Sequence, residues 1–436
     1  MIPTGPLIGM LAASIPLFAL GVVEPMLPLA GAGVIVGALL LAMVDGHLSR
    51  ARDAVDVERR LPEVLSLGVP NRVSIWVHNR CDRPLTLQVR DDPPAQFATP
   101  ERCRRVRLRP WQRRRVSYQT TPNSRGDWTF GDLHIRVLSR LHLVWWQRDI
   151  PSSESVRVYP NLQQVSEFDA LARRGRLQEM GLRTARARGE GTEFESLREY
   201  VPDDSFRHID WKATARRGTP ITRQYQVERN QTLIIMIDSG RLMAARSGDM
   251  TRVDRAVNAA LMLAHVAQRM GDTVGLLVFS DRVKTFVAPS HGAAQTQRML
   301  EELYALQAEL VEPDFRAAIS FLRAHARKRA MICAFTDLVE PEVSAEALSY
   351  LSSLRPQHLP LVATVADEEI TAMAQRSPGD AFEAYEKALA SRTLSERALS
   401  LAKLRSRGVL VCDARPGDLA TDVVSRYLTV KRAGLL

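Results

Sequence analysis

Leu233-Ile-Ile-Met-Ile237-Asp238 is a run of five apolar residues closed by a carboxylate. A strand buried on both faces reads this way, because neither side offers water to a polar group. Thr251 and Asp254 follow as a capping-box-like helix start. Val253, Ala256, Val257, Ala260, Leu261 and Ala264 then fall on one helical stripe. The alternation continues through apolar runs at Val274–Phe279, Ala330–Phe335, Leu359–Val365 and Val409–Cys412, with helical stretches between them. Residues 379–408 read as a long or broken helix carrying Phe382, Tyr385, Leu389, Leu394, Leu399 and Leu401. Such alternation predicts an α/β doubly wound domain over 233–436, with its ligand crevice beyond the carboxyl ends of the strands. Asp238 and Asp337 sit at two such ends.

Upstream, residues 55–165 change period. Val73, Ile75 and Val77 alternate with polar residues, as do Leu85, Leu87 and Val89. Further short runs follow at Val106–Leu108, Val116–Tyr118, His134–Leu138 and Val156–Tyr159, punctuated by Asn79–Pro84, Asp91–Pro94 and Asn123–Asp127. Short strands with turn signals at regular spacing predict a small β-sandwich. Within it lie Arg102, Arg104, Arg105, Arg107, Arg109, Arg113, Arg114 and Arg115. They read either as the solvated face of two strands or as a contact for anionic lipid.

Two uncharged apolar stretches open the chain, 7–23 and 26–44, separated by Glu24-Pro25. Each has about the length a membrane-spanning helix needs, and the prolines supply a reversal. Residues 1–50 therefore predict a two-helix transmembrane hairpin. Arg50, Arg52, Arg59 and Arg60 follow the second span, which places both termini in the cytoplasm, in a two-pass protein of the inner (cytoplasmic) membrane.

The 436 residues carry 59 basic and 49 acidic side chains, a formal charge of +10. Only six of the basic residues are lysine. No nucleic-acid-binding motif accompanies the charge, and no nucleic-acid partner is expected. Cys81, Cys103, Cys333 and Cys412 are scattered, with no CxxC pair. That excludes a disulfide framework or structural zinc site as the organising element, and the four read as buried small apolar residues.

Between the two modules, 166–232 has a different texture. Gly189-Glu-Gly191-Thr-Glu193-Phe194-Glu-Ser-Leu197-Arg198-Glu-Tyr200 is followed by Asp203-Asp204, Arg207, Ile209-Asp210-Trp211-Lys212 and Ala215-Arg216. Charges of both signs around a few large apolar residues suggest a folded knot held by Arg–carboxylate pairs. This pattern closely resembles the bacterial family called domain of unknown function 58. The family's usual Pro-Gly-Asp-Asp reads Val201-Pro202-Asp203-Asp204 here, without its glycine. The resemblance extends to two N-terminal spans, a β region with Arg125-Gly126 to Gly131, and a von Willebrand factor A-like domain.

The resemblance implies that the α/β edge corresponds to one that holds magnesium through Asp-x-Ser-x-Ser, a threonine and a further aspartate. Here the first motif reads Asp238-Ser239-Gly240-Arg241-Leu242, so both hydroxyl positions are lost, and the loop near Glu312-Pro313-Asp314 offers no threonine. Asp238 and Asp337 remain as metal ligands if the site binds Mg at all, with Ser239 and Thr336 off register. Two neighbouring carboxylates repel unless a cation lies between them. Arg241 is the nearest in sequence, and the expectation is a metal-free crevice neutralised by it, with no cofactor. The resemblance further implies a non-enzymatic partner of a MoxR-type AAA+ ATPase, in chaperone-like assembly or envelope maintenance, docking at this edge. The chain has no GxxxxGK[ST] loop of its own. Two rivals stand beside this reading: a Mg-dependent adhesion-type module, and a hydrolase using His208 with Asp203 or Asp204.

Overall fold

The computed structural model describes residues 2–22, 24–49, 55–161, 170, 193–201, 204, 206–226, 231–337 and 341–435. They divide into two compact units, 1–159 and 160–436. The apolar N-terminus thus belongs with the β module, and the signature block with the α/β module, instead of each standing alone.

In the first unit, among the described residues, one helix is long and apolar enough to cross a membrane by length and composition, Leu27–Ser49. At 1.5 Å per residue it spans roughly 34 Å, a bilayer core with a little to spare. The other expected span, 7–23, is not one helix. It is Gly5–Ala12, Ile15–Ala19 and a 3₁₀ turn at Leu20–Val22. Pro16, in the first turn of Ile15–Ala19, accounts for the break: it brings no N–H to bond the Ala12 carbonyl, where the first helix stops. The pieces still lie close to the long helix, and a Cβ at Gly31 would come within 2.9 Å of the Phe18 ring.

The β module has three sheets. A five-stranded sheet runs Ile2–Pro3, Val144–Ile150, Leu133–Leu138, Leu85–Arg90, Cys103–Leu108. A three-stranded sheet runs Val55–Arg60, Asn71–Asn79, Arg113–Thr120, and another Val64–Ser66, Glu154–Tyr159, Gly126–Phe130. Val73, Ile75 and Val77 are buried, as are Leu85, Leu87 and Val89, which gives each strand one core face. Arg59 does not act as a free charge flanking the membrane. It is buried, paired with Asp91 at 2.7 Å, and donates to the carbonyls of Gly131 and Ser152. Tyr118 Oη donates to the same Asp91 at 2.7 Å. The arginine run lies on two sheet-edge strands, where charge blunts edge-to-edge association. Of the four cysteines, Cys333 and Cys412 are buried as expected, but Cys81 is half-buried and Cys103 exposed on an edge.

In the second unit we number strands β1 (Thr232–Asp238), β2 (Thr273–Phe279), β3 (Val283–Ser290), β4 (Met331–Phe335), β5 (Leu359–Val365) and β6 (Leu410–Ala414). Helices are α1 (Arg252–Arg269), α2 (Ala293–Tyr304), α3 (Phe315–His325), α4 (Pro341–Ser352), α5 (Glu368–Gln375), α6 (Ala381–Ser406) and α7 (Leu419–Arg432). The sheet order is β3-β2-β1-β4-β5-β6, parallel except for β3. The capping box at Thr251 and Asp254 is present. Ile234, Met236, Leu277, Ile332 and Val362 pack with Phe315, Leu322, Leu351 and Leu404 of α3, α4 and α6. Helices α1 and α7 lie together, α1 against β1 and β2 and α7 against β5 and β6. The strand order reverses at β1 and β4, which is where an open α/β sheet places its crevice.

Candidate functional site

Asp238 closes β1, and Thr336-Asp337 follows β4, so the switch point brings both predicted carboxylates to one edge. Asp238 is buried. Its Oδ1 accepts from Gly240 N at 2.7 Å and its Oδ2 from Thr336 Oγ1 at 2.7 Å. Burial pushes its carboxyl up to about 6, with the negative charge of Asp337 adding to the effect.

The cation beside Asp337 is not Arg241. Arg241 pairs instead with Glu312 at the surface. Asp337 is held by two other guanidinium groups: Arg252 from the start of α1 on Oδ2, and Arg397 from α6 on Oδ1 at 2.7 Å. Thr364 Oγ1 adds a third donor at 3.3 Å. Arg252 continues to Asp367 at 2.8 Å, and Arg397 to Asp413 at 2.7 Å, Thr364 Oγ1 and the Val365 carbonyl. A basic residue close in sequence was the wrong choice because the 3₁₀ turn Arg241–Ala244 carries that side chain outward.

Sequence reasoning missed Arg252 and Arg397, though both left a signal. Arg252 is the first residue of a helix, where the dipole disfavours a cation unless a carboxylate compensates. Arg397 lies three residues after Leu394 and four before Leu401, on the buried stripe of α6. An arginine in an apolar stripe implies a buried anion.

This donor set does not fit magnesium. All four oxygens of the two carboxylates already accept hydrogen bonds, those of Asp337 from guanidinium groups and those of Asp238 from an amide and a hydroxyl, whereas magnesium needs a near-octahedral set of free oxygens. Ser239 Oγ donates to the Phe279 carbonyl at 3.0 Å and accepts from Lys284 Nζ at 2.9 Å, which sets an ammonium where a metal would approach. The cavity beside Asp337 and Arg252 measures about 10 Å³, room for one water at most. Among the described residues, no three His, Cys, Asp or Glu side chains are grouped to hold a metal.

The signature block folds as an antiparallel pair, Glu193–Glu199 with Ile221–Gln226, enclosing the helix Trp211–Arg217. Asp210 caps that helix: its Oδ1 accepts from the N–H groups of Lys212 and Ala213 at 3.0 Å each, and Gly218 ends it at φ 72°. The Ala213 N–H and then Arg223, at 2.9 Å, hold the Asp210 carboxyl below its ordinary value. Arg198 Nη2 donates to Asp204 at 2.5 Å, and Asp204 also accepts from Val201 N. Asp204 and Asp210 are therefore spent on structure. His208 ends the 3₁₀ turn Phe206–His208. Gly189, Gly191 and Asp203 lie outside the described residues, as do the side chains of Glu193 and Phe194. Arg207, Lys212 and Arg216 form no ion pair among the described residues.

Several apolar members of this block are exposed, although Ile209 is buried. Trp211 is 67% exposed and Phe206 72%, with Leu197 and Val201 also open to solvent. The rings of Tyr200 and Phe206 meet at a tilt, with 5.6 Å between centroids. The residues actually buried beneath them are Ile209 and Ile221.

Residues 196–374 match the family model described as a protein of unknown function, DUF58. The match begins in the signature hairpin and runs past both Asp238 and Asp337. The uncharacterized protein Rv1480 of Mycobacterium tuberculosis is 28% identical over 155 residues, 35% of this chain and 49% of that protein. The uncharacterized protein YeaD of Bacillus subtilis is 24% identical over 217 residues, 48% of this chain and 50% of that one. The chain thus spans about half the length of these curated relatives. Among solved structures, the conserved hypothetical protein BatB of Bacteroides thetaiotaomicron is 12% identical, with 46% of this chain and 98% of that one covered at a TM-score of 0.28.

Proposed function

We propose that this chain is a membrane-tethered, non-enzymatic interaction protein. Its tether is the helix Leu27–Ser49, and its α/β unit, of von Willebrand A type, presents a docking surface on the cytoplasmic side. The observation that carries this reading is the exposure of Trp211 and Phe206 within the signature block. Large aromatic side chains held open on a capped, hydrogen-bonded hairpin are the residue types on which protein interfaces concentrate their binding energy. The docking surface therefore shifts from the crevice to the signature hairpin, while the arginine-filled crevice serves as an internal brace. The resemblance names the partner class: an AAA+ ATPase of MoxR type, which would supply the ATP hydrolysis that this chain has no loop to perform.

Co-purification of the full-length chain with the MoxR-type ATPase of the same genome tests this. Replacing Phe206 and Trp211 by Ala should reduce the affinity at least tenfold. Leu310→Ser, at an exposed position in the loop near the crevice, should leave it unchanged. Loss of binding with Leu310→Ser alone would return the docking surface to the crevice edge. Absence of any complex with the unmutated chain would remove the ATPase as partner.

A further inference from the structure

The base of the Leu27–Ser49 helix is held against the turn at residues 139–143 of the β module. Asp45, buried in the last turns of the helix, accepts from Ser139 Oγ at 2.5 Å, Leu141 N at 2.9 Å and Leu143 N at 3.3 Å. Trp146 Nε1 donates to the Gly46 carbonyl at 3.1 Å, and Thr4 Oγ1 to the His142 carbonyl at 2.6 Å. The start of the chain and the end of the long helix are thus pinned to the same turn, at the level where an apolar helix would leave a bilayer.

Beside that junction opens a cleft of about 960 Å³. Arg83, Arg105, Arg107 and Arg140 line it, against a single carboxylate, Asp82. Arg83 is fixed by donating to the Ser49 carbonyl at the helix end. The Arg105 guanidinium lies 5.5 Å from the centroid of Trp145, which also lines the cleft. Arg105, Arg107 and Arg140 form no ion pair among the described residues. Four cations in one concavity repel one another unless an anion joins them, and guanidinium groups bind phosphate oxygens in pairs. The neighbouring helix surface is apolar and open, with Leu40, Val44 and Leu48 exposed, so an occupant with acyl chains has somewhere to lay them. A tryptophan at the same level is the residue type that settles at a headgroup boundary.

We propose that this cleft binds the phosphate-bearing headgroup of an anionic phospholipid, Arg83, Arg105, Arg107 and Arg140 gripping the headgroup while its acyl chains lie along Leu27–Ser49. The proposal rests on the tether reading, and extraction of membranes with alkaline carbonate tests that reading separately: release of the full-length chain would overturn the tether itself. The lipid site is tested by native mass spectrometry of the full-length chain in neutral detergent, supplied with equal phosphatidylglycerol and phosphatidylcholine. Retention of phosphatidylglycerol should exceed that of phosphatidylcholine about tenfold. The preference should vanish in Arg105→Gln/Arg107→Gln/Arg140→Gln and persist in Arg114→Gln/Arg115→Gln, a pair on the next edge strand outside the cleft. Equal retention of the two lipids would overturn the proposal, as would equal losses in both variants, which would mean diffuse surface charge. Displacement of the lipid by millimolar inorganic phosphate would also overturn it, in favour of a soluble phosphorylated ligand.

Discussion

Asp238 and Asp337 are separated by 99 positions in sequence and treated very differently by the fold. Asp337 receives two guanidinium groups, whereas Asp238 receives a hydroxyl and an amide and is buried with no ion pair among the described residues. Its carboxyl therefore loses a proton at about 6 in the folded chain, against an ordinary 3.8. Between those values the folded state holds more protons than the unfolded one, so stability from this group is full below 3.8 and is lost as pH rises through 6. Relieving a shift of that size is worth up to about 3 kcal/mol, less about 1 kcal/mol for the Thr336 bond that an amide in place of the carboxylate would forfeit. Asp238→Asn should accordingly raise stability in urea by about 1–2 kcal/mol at pH 8, an advantage that shrinks on acidification below pH 6. A variant less stable than the parent at pH 8 would mean that the carboxylate is satisfied by something else. The two carboxylates were readable in the sequence because each ends an apolar strand. The cations beside Asp337 were not, because proximity in sequence pointed to Arg241, while the fold delivered Arg252 and Arg397 from two helices.

At the scale of elements, the same contrast holds between pattern and packing. Continuous apolar runs and strict alternation marked five of the six strands of the α/β sheet but only part of the β module, where Val55–Arg60, Gly126–Phe130 and Val144–Ile150 did not stand out as strands. Strand β3 escaped notice because it is half-buried along most of its length and its residues neither alternate nor run apolar. The first apolar stretch misled in the opposite way, since composition alone does not register the break before Pro16. The docking of the long helix was also hidden, for it depends on one carboxylate near the helix end meeting a turn more than 90 residues later. That turn is unusual: His142 adopts φ 63°, a left-handed conformation that is uncommon for a non-glycine residue. Asp45 restrains it by accepting three donors from the turn. Asp45→Ala should release it, leaving buried donors that cost about 1–3 kcal/mol each. Hydrogen exchange at Leu141 and Leu143 is then expected to rise at least tenfold while Val73 and Ile75, deep in the β core, keep their protection. Unchanged exchange at the turn would show that Thr4 and the Val144–Ile150 strand hold it without the helix.

At the scale of the whole molecule, the switch point is held by internal arginines. The ion-pair chain Asp367–Arg252–Asp337–Arg397–Asp413 links α1, the ends of β4 and β6, and helices α5 and α6. A divalent cation would tie fewer elements and would need its oxygens free. Internal arginines make the edge independent of solution ions, which suits a brace better than a site that recruits ligands through a shared metal. Removing one partner of such a buried pair strands the others and typically costs about 3–5 kcal/mol. Arg397→Met should therefore lower the stability of the full-length chain by that order, because Asp337 and Asp413 both lose their shared cation. Titrating Mg²⁺ or Mn²⁺ into the unmutated chain should give no saturable heat, and its melting temperature should be the same with Mg²⁺ as with a chelator. Saturable heat that disappears in Asp238→Asn would reverse the argument: the carboxylates would then be exchanging guanidinium for metal, and recognition through a bound cation would become the working mechanism.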